Sequence, residues 1–371
     1  MREILLLLGF LALIVSTLWW PRPVLRTVGG LLLGALVTVF VAPAQGLALG
    51  CAWGAPVALL AGWLLPGRVH RRVCFMVLTL GLLVYVTTLL MFLAPGNPFR
   101  QEKQANEQVE AALREKYGVP EDATAFFGIY MQRLLTEGSL GPSIKNQGRT
   151  VAELILPAFP VSLALGMTAL VIATGLGLWL GVRAGLKPGS LADQGSMALA
   201  MVGISLPNFV IGSLLVMAFA LELGWLPVAG WGGYRHLLLP ALTLALPYAA
   251  YIARLARGGT IEVMQQDFIR TARAKGLPER AVVLKHALKG AILPVVSFLG
   301  PAAAGIFTGS FVVENLFGIP GMGQWFVKSA INRDYSVVLG AALIYCSLLT
   351  VFNLLVDMAY AWLDPRIRET L

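Results

Sequence analysis

Charge is scarce in this sequence: 13% of its 371 residues are Asp, Glu, Lys or Arg, against roughly 25% in an ordinary soluble domain. With 57% hydrophobic residues and a mean hydropathy of +0.77, such a chain cannot cover itself with a polar surface in water. Cysteine and histidine are scarcer still, three of each. Cys51, Cys74 and Cys346 lie in or beside apolar segments, with no CxxC pair and no metal-ligand spacing around them. They read as small buried apolar residues, and no metal site is expected. His70, His236 and His286 fall in connecting segments, so no histidine relay runs through an apolar stretch. Also missing are GxxxxGK with Ser or Thr, HExxH and GxSxG. The sequence therefore carries no phosphate loop for ATP, no catalytic constellation and no cofactor signature, and a non-catalytic protein is expected.

What the sequence has instead is long apolar runs. Six form a core, at about 73–94, 156–182, 197–221, 238–256, 291–313 and 336–362, each near the roughly 20 residues that cross a bilayer as a helix. The expected fold is all-α, a polytopic helical membrane protein. The net charge of +9 sits mostly between these runs, as the positive-inside rule places it, and needs no nucleic-acid partner to explain it. Residues 254–289 carry Arg254, Arg257, Arg270, Arg273, Lys275, Arg280, Lys285 and Lys289 against Glu262, Asp267 and Glu279, which marks that segment as cytoplasmic. By alternation the cluster Arg68, His70, Arg71 and Arg72, the pair Arg183 and Lys187, and the tail with Arg366 and Arg368 then fall on the same side.

The segment 95–155 is mixed in charge and falls outside. Glu107, Glu110, Arg114 and Glu115 have helical spacing before the breaker Gly118-Val119-Pro120, so short surface helices are expected, with a plain solvated loop as the alternative. Residues 1–67 form an additional N-terminal membrane segment ahead of a main domain at 68–371. Residues 4–20 are one apolar run, whereas 28–65 as a single helix would be about 57 Å long and must be broken, at Ala42-Pro43-Ala44-Gln45-Gly46. That gives three extra spans with the N-terminus outside; two spans with it inside is the alternative. Trp19, Trp20 and Pro21 argue against a cleavable signal.

Within the spans the ionisable candidate is Asp357, one turn after Asn353; it reads more readily as a helix-end carboxylate near Asp364, Arg366 and Arg368 than as an ion or proton site. More informative is the basic region at 259–291, which reads as helix, break, helix. Gly276 suits a left-handed helix end, and Pro278 with Glu279 suits a first turn. In the second helix Ala281, Leu284, Leu288 and Ala291 share a face by spacing. On the first, the small residues Ala272 and Ala274 would let another protein's surface approach closely. An amphipathic helix lying on anionic membrane lipid is the competing reading.

From about residue 73 to the C-terminus the sequence resembles the inner-membrane permeases of peptide, nickel and related importers of the ATP-binding-cassette superfamily, of the first-permease type in a two-permease system. The family's cytoplasmic motif, E-A-A, three residues, Gly, then I-x-L-P, is matched by Thr271-Ala272-Arg273-Ala274-Lys275-Gly276 and Ile292-Leu293-Pro294, with the glutamate replaced. Ala94-Pro95-Gly96-Asn97-Pro98, Ser205-Leu206-Pro207-Asn208-Phe209, the stretch from Val313-Glu314-Asn315 to Gly321-Met322-Gly323, and the ending through Leu363-Asp364-Pro365-Arg366 follow in family order. The resemblance implies a type I importer permease fold with six core helices in a bacterial inner membrane. It also implies four partners besides lipid: a second homologous permease, two ATPase subunits and an extracytoplasmic substrate-binding protein. It makes Arg270, Ala272, Arg273, Ala274, Gly276, Leu277, Ala281 and Leu284 the expected ATPase-coupling residues. Glu314, Phe317, Pro320 and Gly321 are expected at an outer gate or a receptor-docking surface, or else in a plain Pro/Gly turn. Peptides are the substrate class expected, with nickel chelates and modified peptides or sugars also open. A stand-alone channel or secondary carrier, needing no ATPase, is the alternative function.

Overall fold

A computed structural model describes residues 67–96, 98–99 and 107–363. The spans expected before residue 67, Cys51, and the basic tail with Arg366 and Arg368 lie outside the described residues, as do the side chains of Cys74 and Asp357. The described chain is helical; its extended pairing is an isolated bridge between Pro142 and Thr150.

The apolar runs become helices in the expected order. The first lies in the helix Gly67–Leu93, whose apolar part is Leu78–Leu93. Phe159–Leu186, Tyr234–Met264, Leu293–Leu316 and Tyr335–Val356 are each long and apolar enough to cross a membrane. The run at 197–221 departs from expectation. It forms two helices, Leu191–Ser205 and Asn208–Glu222, which meet at 112°. The cause is Pro207, whose ring drives Leu206 out of the helical region to φ −89°, ψ 133°. The helix Tyr234–Met264 is also longer than its apolar run and carries Arg254 and Arg257 within it, although Pro240 and Pro247 each remove one backbone donor.

The chain divides into two compact units. The first takes in the described residues up to Ala152 together with Asn332–Leu343; the second is Glu153–Ile331 with the described residues from Ile344 onward. In the first, short helices form where expected. Glu107–Tyr117 is tied by a pair between Arg114 and Glu110 at 3.0 Å and ends at Gly118. Ala123–Glu137 is capped by the Asp122 carboxylate, which accepts from the Ala125 amide. Phe126, Phe127 and Tyr130 on this helix bury against Val84, Phe99, Tyr117, Val119, Ile144 and Tyr335. Asp334, 1% exposed, accepts from the amides of Ile144 and Lys145 and from the Ser143 hydroxyl, which pins the loop closed by the Pro142 bridge.

The second unit is organised by close backbone approach. Phe159–Leu186 and Tyr234–Met264 pack along their lengths, and the contact is made by Gly177, Gly181 and Gly185, one per turn. A Cβ at these positions would stand 2.7 Å from Ile252, Ala256 and Thr260 respectively. Without a hydrophobic driving force in lipid, such small-residue seams supply the packing that holds helices together. Leu165, Ala169, Leu244, Ala245, Ile252, Ile306 and Phe317 fill the adjoining core.

Candidate functional site

The basic region forms a folded tip at the end of the long helix Tyr234–Met264. Gln266 at ψ 150° turns the chain, and the helix Asp267–Ala274 follows. Its Ile269 and Ala272, three residues apart and therefore on one face, pack onto Val282 and Ala287 of the return segment, with Val263 and Met264 alongside. Gly276 has φ +76° and its amide donates to the Arg273 carbonyl at 2.9 Å, which ends the first helix as its sequence suggests. A Cβ there would meet nothing within 4 Å. Pro278 is extended and Glu279 opens the next helix. Across the break Arg273 grips Glu279 with both arms of its guanidinium, at 2.8 and 3.2 Å. That hydrogen-bonded cation holds the Glu279 carboxyl below its ordinary range and raises the Arg273 guanidinium in return.

The return segment differs from expectation in register. Val282–Ala287 is a wide π-helical turn in which the Leu288 amide donates to the Val283 carbonyl, five residues back. The buried face is consequently Val282, Ala287 and Ala291, while Ala281 is half-buried and Leu284 is 65% exposed. The expected shared face of Ala281, Leu284, Leu288 and Ala291 is broken by that extra residue. Ala272 is turned inward rather than outward, so of the two small residues Ala274 alone is exposed. The outward surface carries Arg270, Arg273, Ala274, Gly276, Leu277 and Leu284, together with Phe268, 50% exposed, which sequence reasoning passed over.

At the other end of Leu293–Leu316 the chain turns through Gly318, at φ +62°, into the helix Met322–Asn332. Glu314 is fully buried. Its Oε1 accepts from the Ser162 hydroxyl at 2.7 Å and lies 3.0 Å from the Ser310 hydroxyl, and its Oε2 accepts from the Gly323 amide at 2.8 Å. Ser162 in turn accepts from the Met322 amide. Phe317 and Gly321 are also buried, and Pro320 is exposed. Of the four residues expected at a gate or docking surface, three are internal. They tie the turn to the start of Phe159–Leu186.

A third constellation was invisible in the sequence. Asp193, 3% exposed at its side chain, is forked by Arg257, with Nε to Oδ1 at 2.5 Å and Nη2 to Oδ2 at 2.8 Å. The Gly189 amide also donates to Oδ2, at 2.9 Å. An aspartate in a first helical turn reads as a cap, and nothing in local pattern reveals a partner 64 residues away.

A family model described as "Binding-protein-dependent transport system inner membrane component" matches residues 173–369, more than half of the chain. The chain belongs to this family. This inner-membrane component is 44% identical to the oligopeptide transport system permease protein OppB of Haemophilus influenzae over 81% of its own length and 98% of that protein's. It is 45% identical to OppB of Escherichia coli, over 80% of the chain and 98% of the relative. With the dipeptide transport system permease protein DppB of Bacillus subtilis it shares 43% identity, over 80% and 96%. Among solved structures it is similar, at 18% identity and a TM-score of 0.47, to a chain of the MetNI methionine ABC transporter, over 57% of this chain and 97% of that one. The chain is thus a multi-pass inner-membrane permease of a binding-protein-dependent system, not a stand-alone channel or carrier.

Proposed function

We propose that this permease forms part of the translocation path of a peptide importer, driven by two separate ATPase subunits and supplied by an extracytoplasmic binding protein. A second homologous permease completes the path. The peptide class is supported by relatives named for oligopeptide and dipeptide transport, matched over nearly their whole length. The ATPase contact is the basic tip, with Arg270, Arg273, Ala274, Gly276, Leu277 and Leu284 facing the partner. Ala272 and Ala281 act from beneath that surface. The observation that carries this reading is the tip's own construction: a small apolar core holds a left-handed glycine and a salt-bridged break at the end of a 31-residue helix. An element that is rigid before a partner arrives can pass displacement on to the helices behind it. The tip then lies on the cytoplasmic side with the segment 259–291, the segment 95–155 lies outside, and residues 68–371 form the permease domain behind an additional membrane segment at 1–67. Glu314, Phe317, Pro320 and Gly321 serve the outer gate, with Pro320 exposed and the other three holding the turn.

Gly276→Val tests the contact. Position 276 is open within the chain, so the change costs about 1–3 kcal/mol of left-handed strain and projects a branched side chain toward the partner. Membrane insertion is expected to persist, while co-purified ATPase subunits and peptide uptake fall at matched abundance. Normal assembly with normal uptake overturns the contact, and ATP hydrolysis by the purified permease alone overturns the non-catalytic role. A helix resting on lipid would tolerate the valine.

A further inference from the structure

The Asp193–Arg257 pair joins the start of Leu191–Ser205 to the long helix Tyr234–Met264, on which the shorter helix also packs further along, at Gly203 against Leu246 and Ala250. Arg257 lies seven residues before Met264, where the long helix ends and the basic tip begins. Two residues on, Gly259 fits so closely under Ala291 that a Cβ would fall 2.5 Å from the Ala291 carbonyl oxygen. The tip's return segment is thereby seated on the same stretch of helix as Arg257. Asp193 belongs to the first turn of Leu191–Ser205, the helix that leads into the bend at Leu206–Pro207. The buried residues of that helix are Asp193 and Ala200, and Leu199, Met201 and Val202 are exposed. One face of it is therefore open within this chain, the other packs on the long helix, and its start is held there by a charge.

A buried carboxylate is a poor way to gain stability, because its desolvation cancels much of the attraction to its partner. What a guanidinium fork supplies is orientation: two parallel hydrogen bonds fix angle as well as distance. The Gly189 amide and the Ser190 hydroxyl, which accepts from the Asp193 amide at 3.2 Å, fasten the aspartate to its own loop. Force reaching Arg257 is thus passed to the helix start rather than absorbed by a side-chain rotation.

We infer that the Asp193–Arg257 pair carries displacement of the basic tip into the bent span, so that both are positioning residues for transport. The inference rests on the tip being the ATPase contact. The test uses the assembled importer in vesicles and reads peptide uptake per ATP hydrolysed, at matched abundance. Asp193→Asn and Arg257→Gln are each expected to lower that ratio about tenfold while leaving ATPase subunits bound. Because the two act as one unit, the double variant is expected to be no worse than either single. Asp193→Glu, which keeps the charge and the fork, recovers most of the loss. An unchanged ratio in Asp193→Asn overturns the inference, as does a double variant in which the two losses multiply. Should Asp193→Asn fail to accumulate, Arg257→Lys, with charge but no fork, is read instead; a partial fall supports the inference and an unchanged ratio overturns it. Failure of the ATPases to engage the wild-type permease would overturn the contact assignment itself and is seen separately, by co-purification.

Discussion

At Glu314 a carboxylate out of reach of water is surrounded by the Ser162 and Ser310 hydroxyls and the Gly323 amide. Truncating it would leave the Gly323 amide and the Ser162 hydroxyl without their acceptor in an apolar surrounding, while the Ser310 hydroxyl keeps the Phe307 carbonyl. Glu314→Ala is therefore expected to lose about 3 kcal/mol, and Glu314→Gln, which keeps one acceptor in place, about half of that. Thermal unfolding in detergent checks both, and an unaltered midpoint in Glu314→Ala would show that the network is not formed. At the tip the fork from Arg273 lowers the Glu279 carboxyl from its ordinary 4.5. A carboxyl whose folded value is depressed contributes above its ordinary value and loses that contribution as pH falls through the lowered one. Carboxyl-carbon titration is expected to give Glu279 a midpoint below 4.5, returning toward it in Arg273→Gln. Identical midpoints in the two proteins would show that the pair does not persist in solution.

Between helices the glycine seam makes a sharper contrast available. Gly177 and Gly175 lie two residues apart on Phe159–Leu186; a Cβ at the first would press on the Ala249 carbonyl and Ile252 at 2.7 Å, and at the second would meet nothing within 4 Å. Gly177→Ala is expected to destabilise by about 1–3 kcal/mol through forced separation of the helices. Gly175→Ala is expected to be neutral or to stabilise by up to about 1 kcal/mol. Equal effects would mean that the two helices do not meet along this seam. The four long apolar helices from Phe159 onward were legible because a bilayer demands long apolar runs, which composition reveals. The bend was not, since an averaged hydropathy window passes over Leu206–Pro207 without registering the backbone it redirects. Gly276 and Pro278 announced the break in the tip because their backbone preferences are local. The register of the return segment was hidden, because the five-residue step through Val282–Ala287 follows no 3.6-residue pattern, and the partnership of Asp193 with Arg257 is purely tertiary.

For the molecule as a whole, the charge distribution predicts a sidedness that labelling can check. In a chain cleared of Cys51, Cys74 and Cys346, cysteines replacing His70 and Glu279 are expected to react with an impermeant reagent from the cytoplasmic side. A cysteine replacing Glu121 is expected to react from outside, and external labelling at position 279 would invert the topology. The orientation expected from the sequence rests on arginine and lysine placement, which obeys a rule of membrane insertion rather than of folding. The tip adds a thermodynamic consequence. Ile269, Ala272, Val282 and Ala287 already exclude water in this chain taken by itself, so an ATPase at the proposed contact would meet a finished shape and association would lose little chain entropy to ordering. Its heat-capacity change would then follow the area covered at the contact, without the larger decrement that accompanies a segment folding as it binds.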